Sequence, residues 1–122
     1  MVKEKNRKVA NMKEEGKVNY YKGQILVSEW GYGQTNQTFY KVIKLSKSGK
    51  SITIREIQKT YKANKDNYMC GYEKPLASLA YVKGSKPITK RVNILRNYIR
   101  PEEYMGSLKV WDGKPKFSSS WN

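Results

Sequence analysis

Apolar and polar residues alternate in three stretches in the first half of the chain. Residues 18–30, 37–46 and 51–57 are rich in aromatic and β-branched side chains, a pattern typical of half-buried strands. Gly23 predicts a β-bulge in the first stretch, and KSGK at 47–50 is a turn sequence. Because both connections are short, we expect an antiparallel meander. In the second strand the alternation predicts two faces, one with Phe39, Lys41, Ile43 and Leu45 and the other with Tyr40, Val42 and Lys44.

The middle of the chain has a weaker pattern. Residues 59–75 follow neither a helical nor a strand period and predict a loop or insertion, with the polar stretch 62–67 as its tip. Residues 75–82 fit either a single helical turn or a short strand. The spacing of apolar residues in this region therefore predicts neither a long helix nor a long strand.

The end of the chain predicts a helix or half-helix and a hairpin. Helical spacing links Ile88, Val92, Leu95 and Ile99, although the β-branched content at the start favours a strand there, and Pro101 ends the element. Residues 107–121 predict two short strands around Asp112-Gly113, the commonest short hairpin sequence.

These elements predict a mainly β fold within one domain. Five or six short strands and one short helix favour a small antiparallel β-barrel or curved sheet, SH3-like or OB-like, with an α+β sheet covered by one helix as the alternative. We expect this domain to span residues 17–122, a length that buries a single core. Residues 1–16 are expected to form a basic flexible arm, which either becomes helical on contact with a partner or stays a disordered terminus.

Composition makes that core thin and aromatic. Leu, Ile, Val and Phe supply roughly a fifth of the residues, near the level at which disorder becomes an alternative. Ten Tyr and three Trp argue for an ordered domain, because disordered segments are poor in aromatic residues. Large aromatic side chains are therefore needed inside the fold.

Charge is the strongest compositional feature. Twenty-five Lys and Arg against ten Asp and Glu give a formal net charge of +15. A polyanion is the default partner for such an excess. An acidic protein or ribonucleoprotein partner, and a simple solubility effect, stay open as alternatives.

Few catalytic constellations are compatible with this sequence. It has no histidine, which excludes Ser-His-Asp and Cys-His triads, and its single cysteine, Cys70, excludes a disulfide within the chain and a Cys-based zinc site. The acidic residues are scattered, and no phosphate-binding or dinucleotide fingerprint occurs. We therefore predict a non-enzymatic protein with no metal and no cofactor.

A basic segment near the end of the chain is the first candidate site. Between Tyr81 and Pro101 there are six cations and no acid. If residues 88–100 are helical, a basic ridge lies beside the apolar stripe and faces a phosphate backbone; an ordinary solvated surface is the alternative. The predicted phosphate-binding residues are Lys83, Lys86, Lys90, Arg91, Arg96 and Arg100.

The stretch WGYGQTNQTFY at 30–40 is the second candidate site. Exposed Trp30 and Tyr32 would stack on unpaired bases while Gln34 and Asn36 hydrogen-bond to them. Alternatively, Trp30 and Phe39 are the main core aromatics and the two amides satisfy local backbone groups.

The same stretch resembles a W-G-Y-x-Q-T-N-x-x-F-Y motif of small phage and mobile-element proteins. WDGKP at 111–115 is similar to a second piece of that family, and together the resemblance covers about half of the chain. It implies a genomic setting more than a chemistry, because no catalytic residues carry over. Gly33 departs from the acidic residue expected there, so any site that uses this acid is altered here.

Together these observations predict a DNA- or RNA-binding protein of phage or mobile-element origin in the bacterial cytoplasm. The runner-up is an inhibitor of a host defence nuclease, anti-CRISPR or anti-restriction, that docks on the protein or on its guide RNA. A virion or assembly component is a third alternative. No stretch has the apolar length of a membrane span, so no membrane partner is expected.

Overall fold

The computed structural model describes residues 20–67, 69–92, 99–102 and 104–119. Eight β-strands follow one another in these ranges, and no helix occurs among the described residues. They are β1 (Ile25–Trp30), β2 (Asn36–Leu45), β3 (Ser51–Ile57), β4 (Lys59–Ala63), β5 (Cys70–Pro75), β6 (Ile88–Arg91), β7 (Leu108–Val110) and β8 (Lys116–Ser119).

The strands form two antiparallel sheets. A five-stranded sheet has the order β6-β3-β2-β1-β7, and a three-stranded sheet has the order β4-β5-β8. The predicted β-rich class is confirmed. The sheets do not close into a barrel, however, so the barrel prediction is wrong. The chain changes sheet at Gln58, the single residue between β3 and β4.

The predicted meander is confirmed as β1, β2 and β3. Gly23 does not form the predicted bulge inside a strand: it lies in the turn before β1, at a φ of 93°, and donates a backbone hydrogen bond to Val42. The irregularity lies in β2 instead, where the pairing with β3 shifts between Val42 and Lys44. This shift pairs Leu45 with Ile52, so the strict alternation predicted along the second strand is broken.

Three predictions in the second half of the chain are wrong. Residues 59–75 are a hairpin of β4 and β5, not a loop. Segment 88–91 is a strand paired with β3, as its β-branched content favours, so the helical alternative is wrong there. Residues 93–98 of that alternative are outside the described residues, as is the predicted arm 1–16. The two strands around Asp112-Gly113 do not pair with each other, because β7 joins β1 and β8 joins β5.

Both faces of the large sheet carry apolar side chains. The first face is the one on which Leu26, Tyr40 and Ile54 are buried, covered by Ile99 and Met105. The second face is the opposite one, where a smaller cluster is covered by partly buried side chains. Its members are Val27, Phe39 and Ile57, packed against Ile25, Leu79, Tyr81 and Trp111.

The small sheet contacts the large one near the start of β2. Buried Gln37 donates from its amide nitrogen to the Phe117 carbonyl oxygen at 2.8 Å, and Thr35 pairs with Ser119 through two backbone hydrogen bonds. The end of β2 carries no such contact with the small sheet among the described residues. None of the described residues forms a helix long and apolar enough to cross a membrane.

Candidate nucleic-acid interface

Four of the six cations predicted to contact phosphate, Lys83, Lys86, Lys90 and Arg91, lie in the segment that follows the edge of β3. Residues 80–82 follow the end of β3, with the Val82 amide donating to the Glu56 carbonyl oxygen at 3.0 Å. A turn closed by a hydrogen bond from the Ser85 amide to the Val82 carbonyl holds exposed Lys83, and β6 then pairs with the start of β3. The edge therefore presents a turn and a short strand.

These cations do not form the predicted single ridge. Lys90 lies opposite Ile52, on the first face, whereas Arg91 lies opposite Ser51, on the second. Because successive side chains of a strand point to opposite faces, Lys90 and Arg91 are separated, whereas a helix would place them on adjacent parts of its surface. Arg100 is exposed, and Arg96 is outside the described residues. The prediction of one helical ridge is wrong for the part of it that can be placed.

A different set of cations does share a face. Lys41 lies opposite Arg55, and Lys44 lies opposite Thr53, on the second face. Thr53 lies opposite Thr89, and Arg91 follows two residues later on the same face of β6. The β2–β3 turn adds two exposed lysines at the same end of the sheet. We call this set the basic surface: Lys41, Lys44, Lys47, Lys50, Arg55 and Arg91.

One aromatic ring supports the centre of the basic surface. The Arg55 guanidinium carbon lies 4.4 Å from the centroid of the Tyr81 ring, and Lys41 Nζ lies 5.9 Å from it. The Arg55 Nε–H also donates to Ser85 Oγ at 3.1 Å. Like charges placed directly opposite one another destabilise a sheet, and the ring offsets this through cation–π contacts. An anion bound between Lys41 and Arg55 would offset it further.

Four of the six acidic residues in the described ranges have side chains that are paired elsewhere or point to the other face. Glu73 pairs with Lys59 at 3.1 Å, and Asp112 pairs with Lys116 at 2.9 Å. Hydrogen bonds from Lys116 and from the Lys114 amide lower the pKa of the Asp112 carboxyl below its ordinary value. Glu29 accepts a hydrogen bond from Gln37, and Glu56 points to the first face with its neighbour Tyr40. The basic surface therefore keeps its positive potential.

Most of the basic surface was missed from the sequence. The residues concerned are Lys41, Lys44, Lys47, Lys50 and Arg55. The predicted meander already placed Lys41 and Arg55 on neighbouring strands, so pairing the strands about the KSGK turn would have brought these cations near each other. The exact register between β2 and β3 could not be predicted, because no feature of the local sequence indicates the shift between Val42 and Lys44.

The aromatic and amide stretch at 30–40 divides between core and surface. Phe39 is fully buried on the second face and Tyr40 is buried on the first. Trp30 is half-buried, and its indole N–H donates to Thr38 Oγ1 at 2.8 Å. Tyr32 is fully exposed at the tip of the connection. Phe39 is therefore a core residue, as the alternative interpretation of this stretch predicts, whereas Tyr32 is exposed and can contact a ligand.

The two amide side chains of this stretch are less exposed than a role in binding bases predicts. Gln34 and Asn36 are both half-buried. Within the described residues, no hydrogen-bond partner reaches the buried Asn36 Nδ2. This atom is near Gly31, where the Cβ atom of any larger residue would come within 2.8 Å of it.

A cleft on the first face joins the two candidate sites. It has a volume of about 240 Å³. Its lining includes Trp30 from the stretch at 30–40 and Lys86 from the basic segment. The other lining residues are Thr38, Tyr40, Glu56, Ser85, Ile88, Glu102, Tyr104 and Met105.

Two ionisable groups in the cleft have shifted pKa values. Burial raises the pKa of the Glu56 carboxyl, and the charge of Lys59 opposes this. Burial also raises the pKa of the Tyr40 phenol, with smaller contributions from Glu56, Tyr104 and Glu102. The phenol stays protonated at neutral pH and donates its hydrogen to Met105 Sδ at 3.6 Å.

Arg91 lies far from the stretch at 30–40. Trp30 and Asn36 pair at one end of the β1–β2 hairpin, whereas Arg91 is near the opposite end of the sheet. The ten residues of β2 separate these ends by about 30 Å at 3.3 Å per residue. The structure therefore brings together Trp30 and Lys86 but not Tyr32 and Arg91.

No protein-family model, curated protein or solved structure matches this chain. The described residues contain no group of three or more His, Cys, Asp or Glu side chains arranged to hold a metal ion. The geometry of the two surfaces is thus the basis for any functional assignment.

Proposed function

We propose that this protein is a non-enzymatic nucleic-acid-binding protein of phage or mobile-element origin that acts in the bacterial cytoplasm. It binds the phosphate backbone of DNA or RNA through the basic surface. The observation that supports this most directly is the pairing of Lys41 with Arg55 over Tyr81, continued by Lys44 and Arg91 on the same face.

Two features of the basic surface suit a phosphate backbone. The cations extend over β2, β3 and β6, so several phosphates are within reach of one surface. Hydroxyl groups of Thr53 and Thr89, 2.9 Å apart, lie between them and offer further hydrogen bonds. Each neutralised phosphate releases counterions, which makes the affinity depend strongly on salt.

A charge-reversal variant tests the proposal. We expect Lys44→Glu with Arg91→Glu to weaken binding to labelled DNA and RNA and to lower the slope of log affinity against log salt by about 2, one for each cation. Both side chains are exposed, so the fold is expected to stay intact. Fluorescence anisotropy at several salt concentrations measures the slope, and single-stranded DNA, duplex DNA and RNA probes identify the preferred ligand.

The matched control is Lys62→Glu with Lys65→Glu. Both lysines are exposed in or beside β4, on the small sheet, and the pair changes the net charge equally. If both double variants lose the same affinity, total charge and not the basic surface governs binding. If the native protein binds nucleic acid only after a host nuclease is added, the inhibitor alternative replaces this proposal.

A further inference from the structure

The cleft on the first face is lined by aromatic and acidic side chains that have no part in the proposed phosphate binding. Trp30 and Tyr104 form two adjacent walls, with ring centroids 5.2 Å apart and ring planes at 78°. Tyr104 is 68% exposed, so one wall is open to solvent. A volume of about 240 Å³ is below the roughly 300 Å³ at which pockets begin to suit drug-sized ligands. The cleft therefore suits one flat ring.

An unpaired acceptor lies inside the cleft. Within the described ranges, no group donates a hydrogen bond to the Glu56 carboxylate, although the Glu56 backbone oxygen accepts from the Val82 amide. Burial raises the pKa of this carboxyl because it removes water from the charged form, and the charge of Lys59 opposes the shift. A ligand N–H group would supply the missing donor.

The opening of the cleft has a cation that a phosphate can reach. Lys86 is exposed, lines the cleft and lies two residues before β6, whose last residue is Arg91 of the basic surface. A strand whose phosphates follow this edge passes the opening. The base attached to it can then turn inward and stack on the open face of one of the two aromatic rings.

A cationic ligand is the main competitor, because aromatic rings with carboxylates also bind ammonium groups. The net charge of +15 opposes its approach, and Lys86 stands at the opening. A base joined to a polyanion is attracted by the same field. The net charge of the whole molecule thus favours the base, whereas Glu56 and Glu102 in the lining are the groups that a cation would contact.

We propose that this cleft binds one unstacked nucleobase that carries an exocyclic amino group, adenine, cytosine or guanine. The base stacks on Trp30 or Tyr104, and its amino group donates to the Glu56 carboxylate. This proposal rests on the proposed function and adds base selection to it. Uracil and thymine lack the amino group, and their one N–H, at N3, lies between two carbonyl oxygens that repel a carboxylate, so the cleft discriminates against them.

Homopolymer oligonucleotides test the proposal. We expect the native protein to bind adenylate and cytidylate 12-mers about tenfold more tightly than uridylate 12-mers at equal salt. Glu56→Gln removes the charge with little change in size but keeps one acceptor oxygen, and we expect it to reduce this preference while leaving uridylate binding unchanged. Tyr104→Ala is expected to weaken adenylate and cytidylate binding about tenfold through lost stacking, with the salt slope retained.

The controls are Glu29→Gln and Tyr72→Ala. Both are exposed side chains outside the cleft, one on β1 and one on β5, and neither change should alter base preference. Salt-sensitive binding with equal affinity for all homopolymers would overturn the base pocket alone. A complete lack of nucleic-acid binding would overturn the proposed function as well.

A trimethyl-lysine peptide distinguishes the competing ligand. We expect no binding of this peptide by the native protein under conditions in which adenylate 12-mers saturate it. Binding of the peptide that is lost in both Glu56→Gln and Tyr104→Ala, without base preference among the oligonucleotides, would assign the cleft to a cationic side chain instead.

Discussion

Gly31 fixes the conformation of the connection between β1 and β2. Its φ is 137°, outside the range that L-residues adopt easily. A Cβ atom there would overlap the Gln34 carbonyl oxygen and approach Asn36 Nδ2 to 2.8 Å. The glycine therefore allows the chain to fold tightly beneath the exposed Tyr32.

We predict that Gly31→Ala lowers the free energy of unfolding by about 2 kcal/mol, because strain and overlap add at this position. Urea unfolding monitored by tryptophan fluorescence measures the change. Gly33→Ala is the control: its φ is 75° and a methyl group there meets nothing within 4 Å, so about 1 kcal/mol is expected. Equal losses in the two variants would mean that the overlap at Gly31 relaxes without cost.

Individual residues also show where sequence analysis succeeds and fails. Phe39 was recognised as a core candidate, since a chain poor in aliphatic residues needs its large aromatics inside. The contact of Arg55 with Tyr81 was missed. The two are 26 positions apart, and only the path of residues 76–82 back along the edge of β3 brings them together.

Gln37 connects the two sheets at the level of elements. It is buried in β2, and its amide nitrogen bonds both to Glu29 Oε1 at 3.1 Å in β1 and to the Phe117 carbonyl oxygen in β8. Its own carbonyl oxygen accepts from Lys59 Nζ in β4. One residue thus contacts three strands in two sheets.

We predict that Gln37→Ala lowers the free energy of unfolding by about 1–3 kcal/mol, because the part-buried hydrogen bond to the Phe117 carbonyl is lost. We also predict that β8 exchanges its amide hydrogens faster. Urea unfolding and hydrogen exchange measure the two effects. The control is Gln58→Ala, whose exposed amide donates to the Tyr81 carbonyl oxygen at 3.1 Å, and which should cost about 0.5 kcal/mol or less. Unchanged exchange of β8 in Gln37→Ala would contradict a connecting role.

The elements predicted correctly are those whose burial shows in their own sequence. β3 alternates regularly because Ile52 and Ile54 are buried and their neighbours are not. β4 has no such pattern, since none of its five residues is buried, and its pairing with β5 depends on contacts outside it. The Asp112-Gly113 turn is local, but the partners of β7 and β8 are distant strands, so turn sequence alone gave the wrong pairing.

At the scale of the molecule, the two proposed binding functions lie on opposite faces of the large sheet. The second face presents the basic surface beyond the area covered by Trp111 and Tyr81, while the first face holds the cleft with Glu56. Lys90 and Arg91 point to opposite faces at their shared edge. A nucleic acid that follows this edge therefore meets phosphate-binding groups and the base pocket in succession.

The net charge of +15 should make salt act in opposite directions on the free and bound protein. Repulsion among like charges destabilises the compact state, and raising NaCl from about 0.1 to 1 M shortens the screening length from about 10 to 3 Å. We predict that the melting temperature of the free protein rises over this range. With a saturating oligonucleotide at low salt, we predict a higher melting temperature that falls towards the free value as salt weakens binding.

Differential scanning fluorimetry with and without an adenylate 12-mer measures both trends. Lys44→Glu with Arg91→Glu provides the comparison, because it lowers the net charge by four, from +15 to +11. The free variant should show a smaller rise with salt, and the oligonucleotide should stabilise it less at low salt. A melting temperature of the free native protein that does not change with salt would contradict appreciable repulsion among its cations. In that case the field that attracts a polyanion would have to come from the basic surface and not from the molecule as a whole.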